Sequence, residues 1–205
     1  MKKLDLIKLP FNKQNPITVQ VLGVCSCLAV TAQLKPAVVM ALSVTVVVAL
    51  ANLIISLLRK TIPPRIRIIV QLVVVSMLVV LVDQVLKAYM YDVSKQLSVF
   101  VGLIITNCIV MGRLEAFAMS NPPLPSLLDG IGNGLGYSVV LVTLGFVREL
   151  LSSGTLWGYP VMEKIGLFKI GYENNGLMIM PPMALILVGI IIWIHRTRNK
   201  DLQEQ

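Results

Sequence analysis

The chain has 205 residues, 56% of them hydrophobic and 14% charged, with a formal net charge of +8 at pH 7. A water-soluble domain of this size carries about a quarter of its residues as charged ones. The composition therefore excludes an ordinary soluble enzyme and points to an integral membrane protein, whose basic residues flank its spans rather than meet nucleic acid.

Residues 1–16, MKKLDLIKLPFNKQNP, are basic, but no long apolar run or small-residue cleavage site follows directly, so no removable signal peptide is expected. Segment one covers about 17–34, interrupted by Gly23, Ser26, Thr31 and Gln33, with Pro36 expected to end it. Segment two, 36–58, has no ionisable residue over more than the length a bilayer requires. A tight basic loop follows, with Arg59, Lys60, Arg65 and Arg67 around Pro63 and Pro64. Segment three, about 66–86, is apolar apart from Gln71, Asp83 and Gln84, and Tyr89 and Tyr91 stand where an aromatic belt is expected. Segment four is 97–113, LSVFVGLIITNCIVMGR, with a polar elbow expected at Gly112 and Arg113. The stretch NPPLP at 121–125 is expected not to be regular helix. Segment five, about 131–151, opens on glycines at 130, 132, 134 and 136. A long loop with Trp157 and Tyr159 leads to segment six, 177–194, and a polar tail.

Six segments put both termini on one face of the membrane. With the N-terminus in the cytoplasm, twelve of the 18 basic residues fall inside and six (Lys35, Lys87, Lys95, Arg148, Lys164 and Lys169) outside, the expected positive-inside bias. The expected fold is thus an all-α integral membrane protein forming one membrane domain over 1–205. It comprises a cytoplasmic segment 1–16, a first repeat 17–92, a second repeat 97–195 and a cytoplasmic tail 196–205. Three spans per half is an odd number, so the six transmembrane segments form two inverted three-segment repeats. The first segment of each is short or broken: residues 20–34 around Cys25 and 97–113 around Cys108 run only about 15 residues, where about 20 are needed to cross a bilayer. Short segments in corresponding positions of two halves point to a site near the membrane midplane.

Cys25 and Cys108 are accordingly the candidate metal ligands. The plainer reading is that a lone cysteine in an apolar helix is a small hydrophobe; placement at breaks in two pseudo-symmetric segments is what raises the metal reading. Thiolates suit iron–sulfur clusters, zinc or Cu(I). Two of them cannot complete the four-thiolate set of a [2Fe–2S] cluster, so a cluster here needs another chain. In a helix Cys27 points about 200° away from Cys25 and is assigned to packing; only an unwound Cys-Ser-Cys would converge on one metal. The series GIGNGLG lacks the strand and βαβ unit of a dinucleotide loop and is read as a helix–helix contact. His195 is read as an interfacial, solvated residue, and Asp83, Arg148 and Glu149 as interfacial anchors rather than members of an ion path. With no nucleophile–base set and no phosphate loop, no self-contained active site is expected.

LGVCSCLAV around Cys25, the run from Asp83 to Met119 that includes QLSVFVGLIITNCIVMGRLEAFAM, and LLDGIGNGLGY from Leu127 to Tyr137 resemble one family, as do VRELLSSGTLWG and NGLM further on. It is the family of D-type subunits of the sodium-translocating NADH:quinone reductase of bacteria, with the sister protein of the Rnf-type ferredoxin:NAD electron-transport complex as its relative. The resemblance implies a multi-pass protein of the inner membrane that pairs with a homologous E-type subunit inserted the opposite way up, beside the A-, B-, C- and F-type subunits. It implies a [2Fe–2S] cluster shared between the pair, with Cys25 and Cys108 as this chain's two ligands. FAD, FMN and riboflavin are then expected on other subunits, as electrons pass from NADH to ubiquinone while sodium is exported. Cys27 departs from the small non-ligand residue expected there, and the lead-in at 12–16 is shortened. A stand-alone inverted-repeat transporter and a structural scaffold are the rival readings from the residues alone.

Overall fold

The computed structural model describes residues 15–89, 101–156, 159–160 and 176–198. Its architecture is helical: α1 (Val24–Val30), α2 (Leu34–Leu58), α3 (Arg67–Tyr89), α4 (Val101–Ile105), α5 (Cys108–Arg113), a π turn (Leu114–Ala118), α6 (Pro123–Ser153) and α7 (Pro181–Arg198). A minimal antiparallel pairing of Thr155–Leu156 with Tyr159–Pro160 follows α6, and a 3-10 turn, Gly176–Ile179, precedes α7. Among the described residues three helices, α2, α3 and α6, are long and apolar enough to cross a membrane. Residues 1–14, 97–100 and 199–205, together with Tyr91 and Trp157, lie outside the described residues.

The core is built on α2, which buries Met40, Ala41, Val44, Val47, Val48, Ala51 and Ile55. Along it lies α6, and the glycine series explains the approach. A Cβ at Gly130 would stand 2.8 Å from the Cα of Ala49, and one at Gly134 would stand 2.8 Å from the Cα of Thr45. Absence of a side chain thus lets two backbones touch, the packing device of helices that gain nothing from burial against lipid. The gap is bridged by polar contacts: Thr45 and Ser138 hydroxyls lie 3.1 Å apart, and Asn52 donates to the Ser126 carbonyl at 3.1 Å. By contrast α3 fully buries only the Gln71, Val75 and Val79 stripe, with Val74, Leu78 and Val82 partly buried beside it. Ile69, Val73, Met77, Leu81 and Val85 are exposed, a continuous apolar face that suits acyl chains and would not survive in water.

Several boundaries differ from expectation. Helix α2 begins at Leu34, ahead of Pro36, because the break between segments one and two falls on an extended Gln33 (φ −134, ψ 146). Pro36 then sits in the first turn, where no N–H is required. The NPPLP stretch is likewise partly helical: Pro123 opens α6 and Pro125 occupies its first turn. Gly112 and Arg113 form no elbow, since the chain continues helically from α5 into the π turn and bends only after Met119. Segments one and four are short and broken, respectively: α1 has 7 residues, and segment four splits into α4 and α5 at Thr106 and Asn107.

Candidate functional site

The approach to α1 is dictated by Asn15. Its side-chain carbonyl accepts from the N–H groups of Ile17 (3.0 Å) and Thr18 (3.2 Å), while its amide donates to the Gly136 carbonyl of α6 at 3.3 Å. The Leu22 N–H then closes onto the Pro16 carbonyl at 2.8 Å. The resulting turn forces Val21 and Gly23 into the left-handed region, at φ 55 and φ 78. For a β-branched residue that conformation costs about 1–2 kcal/mol, and strain of this kind collects at functional sites. At Gly23 a side chain is disfavoured both by the positive φ and by crowding: a Cβ would lie 2.6 Å from Ile109 Cδ1 and 3.2 Å from Tyr137 Cε2.

From this turn the Gly23 N–H donates to the sulfur of Cys108 at 2.8 Å. The N-terminal end of α1 is therefore held against the N-terminal end of α5, with Cys25 two residues beyond the donor. A buried polar hub fastens the two ends. Ser26 Oγ donates to the Gly23 carbonyl (2.8 Å) and accepts from the Tyr137 hydroxyl (2.7 Å) and from Asn107 Nδ2 (3.4 Å). Asn107 in turn caps α5 by accepting from the Ile109 N–H at 3.2 Å. Ser26, Asn107 and Tyr137 are all buried, so these bonds act in a low dielectric, where each unmade one is costly.

The far ends of the two short helices are fastened as well, both to α6. Beyond α1, Arg148 donates to the Thr31 hydroxyl (2.6 Å) and the Leu28 carbonyl (3.4 Å), and to the carbonyls of Met178 (3.1 Å) and Ile179 (2.7 Å). Beyond α5, Arg113 forms a bidentate pair with Asp129, which also accepts from Asn133, while the guanidinium lies 5.5 Å from the Phe117 ring. Nineteen positions separate Asp129 from Arg148, about 28 Å of helix, with Tyr137 between them. Both cysteine helices thus lean on one helix and diverge along it in opposite directions.

Cys25 is exposed, Cys108 half-buried and Cys27 fully buried. The Cys-Ser-Cys stretch is helical, and its two thiols face different surroundings, with Cys27 in the apolar core. Among the described residues no group of three or more His, Cys, Asp or Glu side chains is arranged to hold a metal. An exposed Cys25 and a half-buried Cys108 that already carries an N–H donor fit half of a ligand set completed from outside, and do not fit a self-contained site.

Two expectations are corrected. Arg148 is 1% exposed and donates from all three guanidinium nitrogens, and Glu149, also buried, accepts from the Leu34 N–H. Neither is an interfacial anchor, because each satisfies a backbone end that lipid cannot. Asp83 pairs with Lys87 one turn on, and His195 lies half-buried in the last turn of α7 with Arg196 and Arg198. Sequence reasoning does not single out Ser26, Asn107 and Tyr137 as members of the site, although Asn107 directly precedes Cys108 and Tyr137 closes the glycine series.

Residues 4–192 match the model of a family described as "Rnf-Nqr subunit, membrane protein". A protein of Pseudomonas aeruginosa (strain LESB58), named as the D subunit of a Na(+)-translocating NADH-quinone reductase, is 58% identical over 195 residues, covering 95% of this chain and 87% of its own. Proteins of the same name from Shewanella sp. (strain W3-18-1) and Shewanella sp. (strain ANA-3) are each 58% identical over 196 residues, covering 95% of this chain and 92% of theirs.

Proposed function

The chain belongs to the Rnf-Nqr family of membrane subunits, and from that membership we propose that it is the D-type subunit of a sodium-translocating NADH:quinone reductase, in which Cys25 and Cys108 supply half of a shared [2Fe–2S] site. The observation that carries the reading is the hydrogen bond from the Gly23 N–H to the Cys108 sulfur. It joins two segments 85 positions apart in sequence and brings both cysteine-bearing helix starts to one place.

The partner is a homologous E-type subunit, inserted the opposite way up and offering two further cysteines; the A-, B-, C- and F-type subunits complete the assembly. Two short helices that meet at their N-terminal ends and diverge along α6 support six spans in two inverted repeats. The charge distribution supports an inner-membrane location with both termini in the cytoplasm. By family resemblance, FAD, FMN and riboflavin belong to other subunits. The similarly named relatives favour the quinone reductase over the Rnf-type complex.

Cys25 and Cys108 would hold their half of a [2Fe–2S] cluster, which would supply one-electron transfer at the subunit boundary. This chain's own contribution is positional. The Asn15 turn delivers an N–H to Cys108, the Ser26 hub fixes the two helix starts, and Arg148 and Asp129 hold their far ends. Hydrogen bonds to a ligating sulfur raise the reduction potential of such a centre. Coupling to sodium export is a property of the assembly.

The test is iron and acid-labile sulfide content of the complex purified with Cys25→Ser or with Cys108→Ala. Each substitution is expected to remove the intramembrane cluster and stop quinone reduction while the flavins remain. Full iron content in either variant would overturn the assignment.

A further inference from the structure

We infer that Tyr137 is a positioning residue for the cysteine pair, its hydroxyl setting how the Gly23 N–H meets Cys108 by way of Ser26. The inference rests on the proposed cluster ligation and goes beyond it, since Tyr137 lies outside both cysteine-bearing segments.

The position of Tyr137 is the first ground. Helix α6 holds the far end of each cysteine helix, and Tyr137 lies on it between the clamps at Asp129 and Arg148. Its side chain is 0% exposed, and its ring edge lies beside the Cα of Gly23, where even a methyl group would be crowded. The hydroxyl donates to Ser26 Oγ at 2.7 Å. With that lone pair occupied, the Ser26 hydroxyl proton is aimed at the Gly23 carbonyl, 2.8 Å away. Residue 23 is thus gripped from its carbonyl side by Ser26 while its N–H faces the Cys108 sulfur.

Asn107 closes the loop from the other segment. Its amide group reaches Ser26 at 3.4 Å while its carbonyl oxygen caps α5, whose first residue is Cys108. Ser26 is therefore a junction with three partners, one from each element that has to stay in register. Ser26 and Asn107 lie within the two segments that must be aligned; Tyr137 is the partner that ties both to the rigid helix. Without the phenolic proton, Ser26 Oγ keeps only the long bond from Asn107 Nδ2 and is no longer tied to α6, so the Gly23 carbonyl is left mainly to the 3.3 Å helical bond from the Cys27 N–H. The N–H to sulfur bond then loosens.

The test uses the intact complex with Tyr137→Phe, which removes one oxygen and keeps the ring, and Ser26→Ala as a second variant. Readouts are iron and acid-labile sulfide per complex, the electron paramagnetic resonance spectrum of the reduced cluster, and its midpoint potential. The control is Leu141→Met, a buried change on the same helix outside the hub. Both hub variants are expected to retain the subunits, shift the spectrum and lower the reduction equilibrium constant about fivefold, the worth of one hydrogen bond; Leu141→Met is expected to shift neither. Loss of iron from Tyr137→Phe with the subunits still associated also supports the inference. Wild-type spectrum and potential in both hub variants overturn it, as does loss of subunit association in both while Leu141→Met assembles, which would mark a purely architectural role. Retention of full iron by the Cys25 or Cys108 variants instead overturns the ligand assignment, a separate result.

Discussion

Arg148 crosses from the C-terminal half of α6 to the end of the helix that bears Cys25, donating to the Thr31 hydroxyl at 2.6 Å and to the Leu28 carbonyl at 3.4 Å. The same guanidinium holds the Met178 and Ile179 carbonyls just ahead of α7. Four acceptors from two stretches far apart in sequence are satisfied by one planar fork, which an ammonium cannot imitate. Arg148→Met is expected to destabilise the purified protein by about 3 kcal/mol or more, because it strands several part-buried acceptors at about 1 kcal/mol or more apiece. Arg148→Lys should recover less than half of that. Thermal unfolding in detergent checks both, and a Met variant as stable as the parent would refute the clamp.

The opposite clamp behaves differently because both partners are charged. Arg113 and Asp129 are almost wholly buried, at 11% and 4% side-chain exposure. Removing one charge leaves the other unpaired in a medium that cannot solvate it, a loss of about 3–5 kcal/mol, whereas replacing both by apolar groups of similar size is often close to neutral. Asp129→Leu and Arg113→Met are therefore each expected to be severely destabilising alone and mutually compensating together. Unfolding measurements on the two single variants and the double variant give the coupling energy; simple additivity would contradict the pairing.

Much of this architecture is legible in the sequence, for identifiable reasons. The long spans announce themselves because 36–58 has no charge, and the short ones because the apolar runs fall short of a full span and Gly23, Ser26, Thr31 and Gln33 break up the first. Cys25 and Cys108 stand out because they occupy matching places in two such runs. Arg148 reads wrongly because a charge near the end of an apolar stretch is ordinarily interfacial; only the fold shows that loose carbonyls at 28 and 178–179 surround it. The proline-rich start of α6 misleads for a related reason. A proline forbids an interior N–H bond, but the first turn of a helix has none to lose. Tyr137 is hidden by composition, since nothing local distinguishes a tyrosine that reaches a serine 111 positions away.

The glycines of α6 provide a sharp contrast with one in α7. A methyl group at Gly134 would meet the Thr45 Cα at 2.8 Å, and one at Gly130 the Ala49 Cα at 2.8 Å, both backbone atoms that cannot rotate aside. Gly134→Ala should push α2 and α6 apart and cost about 1–3 kcal/mol, as overpacking does. At Gly189, inside α7, nothing lies within 4 Å. Gly189→Ala should then be neutral or stabilising by about 0.5–1 kcal/mol, through the helix preference of alanine. Opposite shifts in the thermal midpoint for the same chemical change are expected, and equal shifts would show that the α2–α6 contact is not tight.

Cys27 tests whether proximity alone makes a ligand. It lies between Cys25 and Leu28 in α1, yet its side chain is 0% exposed and belongs to the apolar core, while Cys25 faces outward. Helical geometry holds two residues i and i+2 on different faces, and the Cys27 carbonyl is engaged by the Thr31 hydroxyl, which Arg148 also holds. Unwinding α1 to swing Cys27 around would break both contacts and bury nothing in return. Cys27→Ala should therefore leave iron and acid-labile sulfide unchanged in the complex and cost about 1 kcal/mol of stability, the worth of a small buried group. Loss of iron from Cys27→Ala at normal assembly would show instead that α1 unwinds around the metal, and that the helix seen here is not the ligating form.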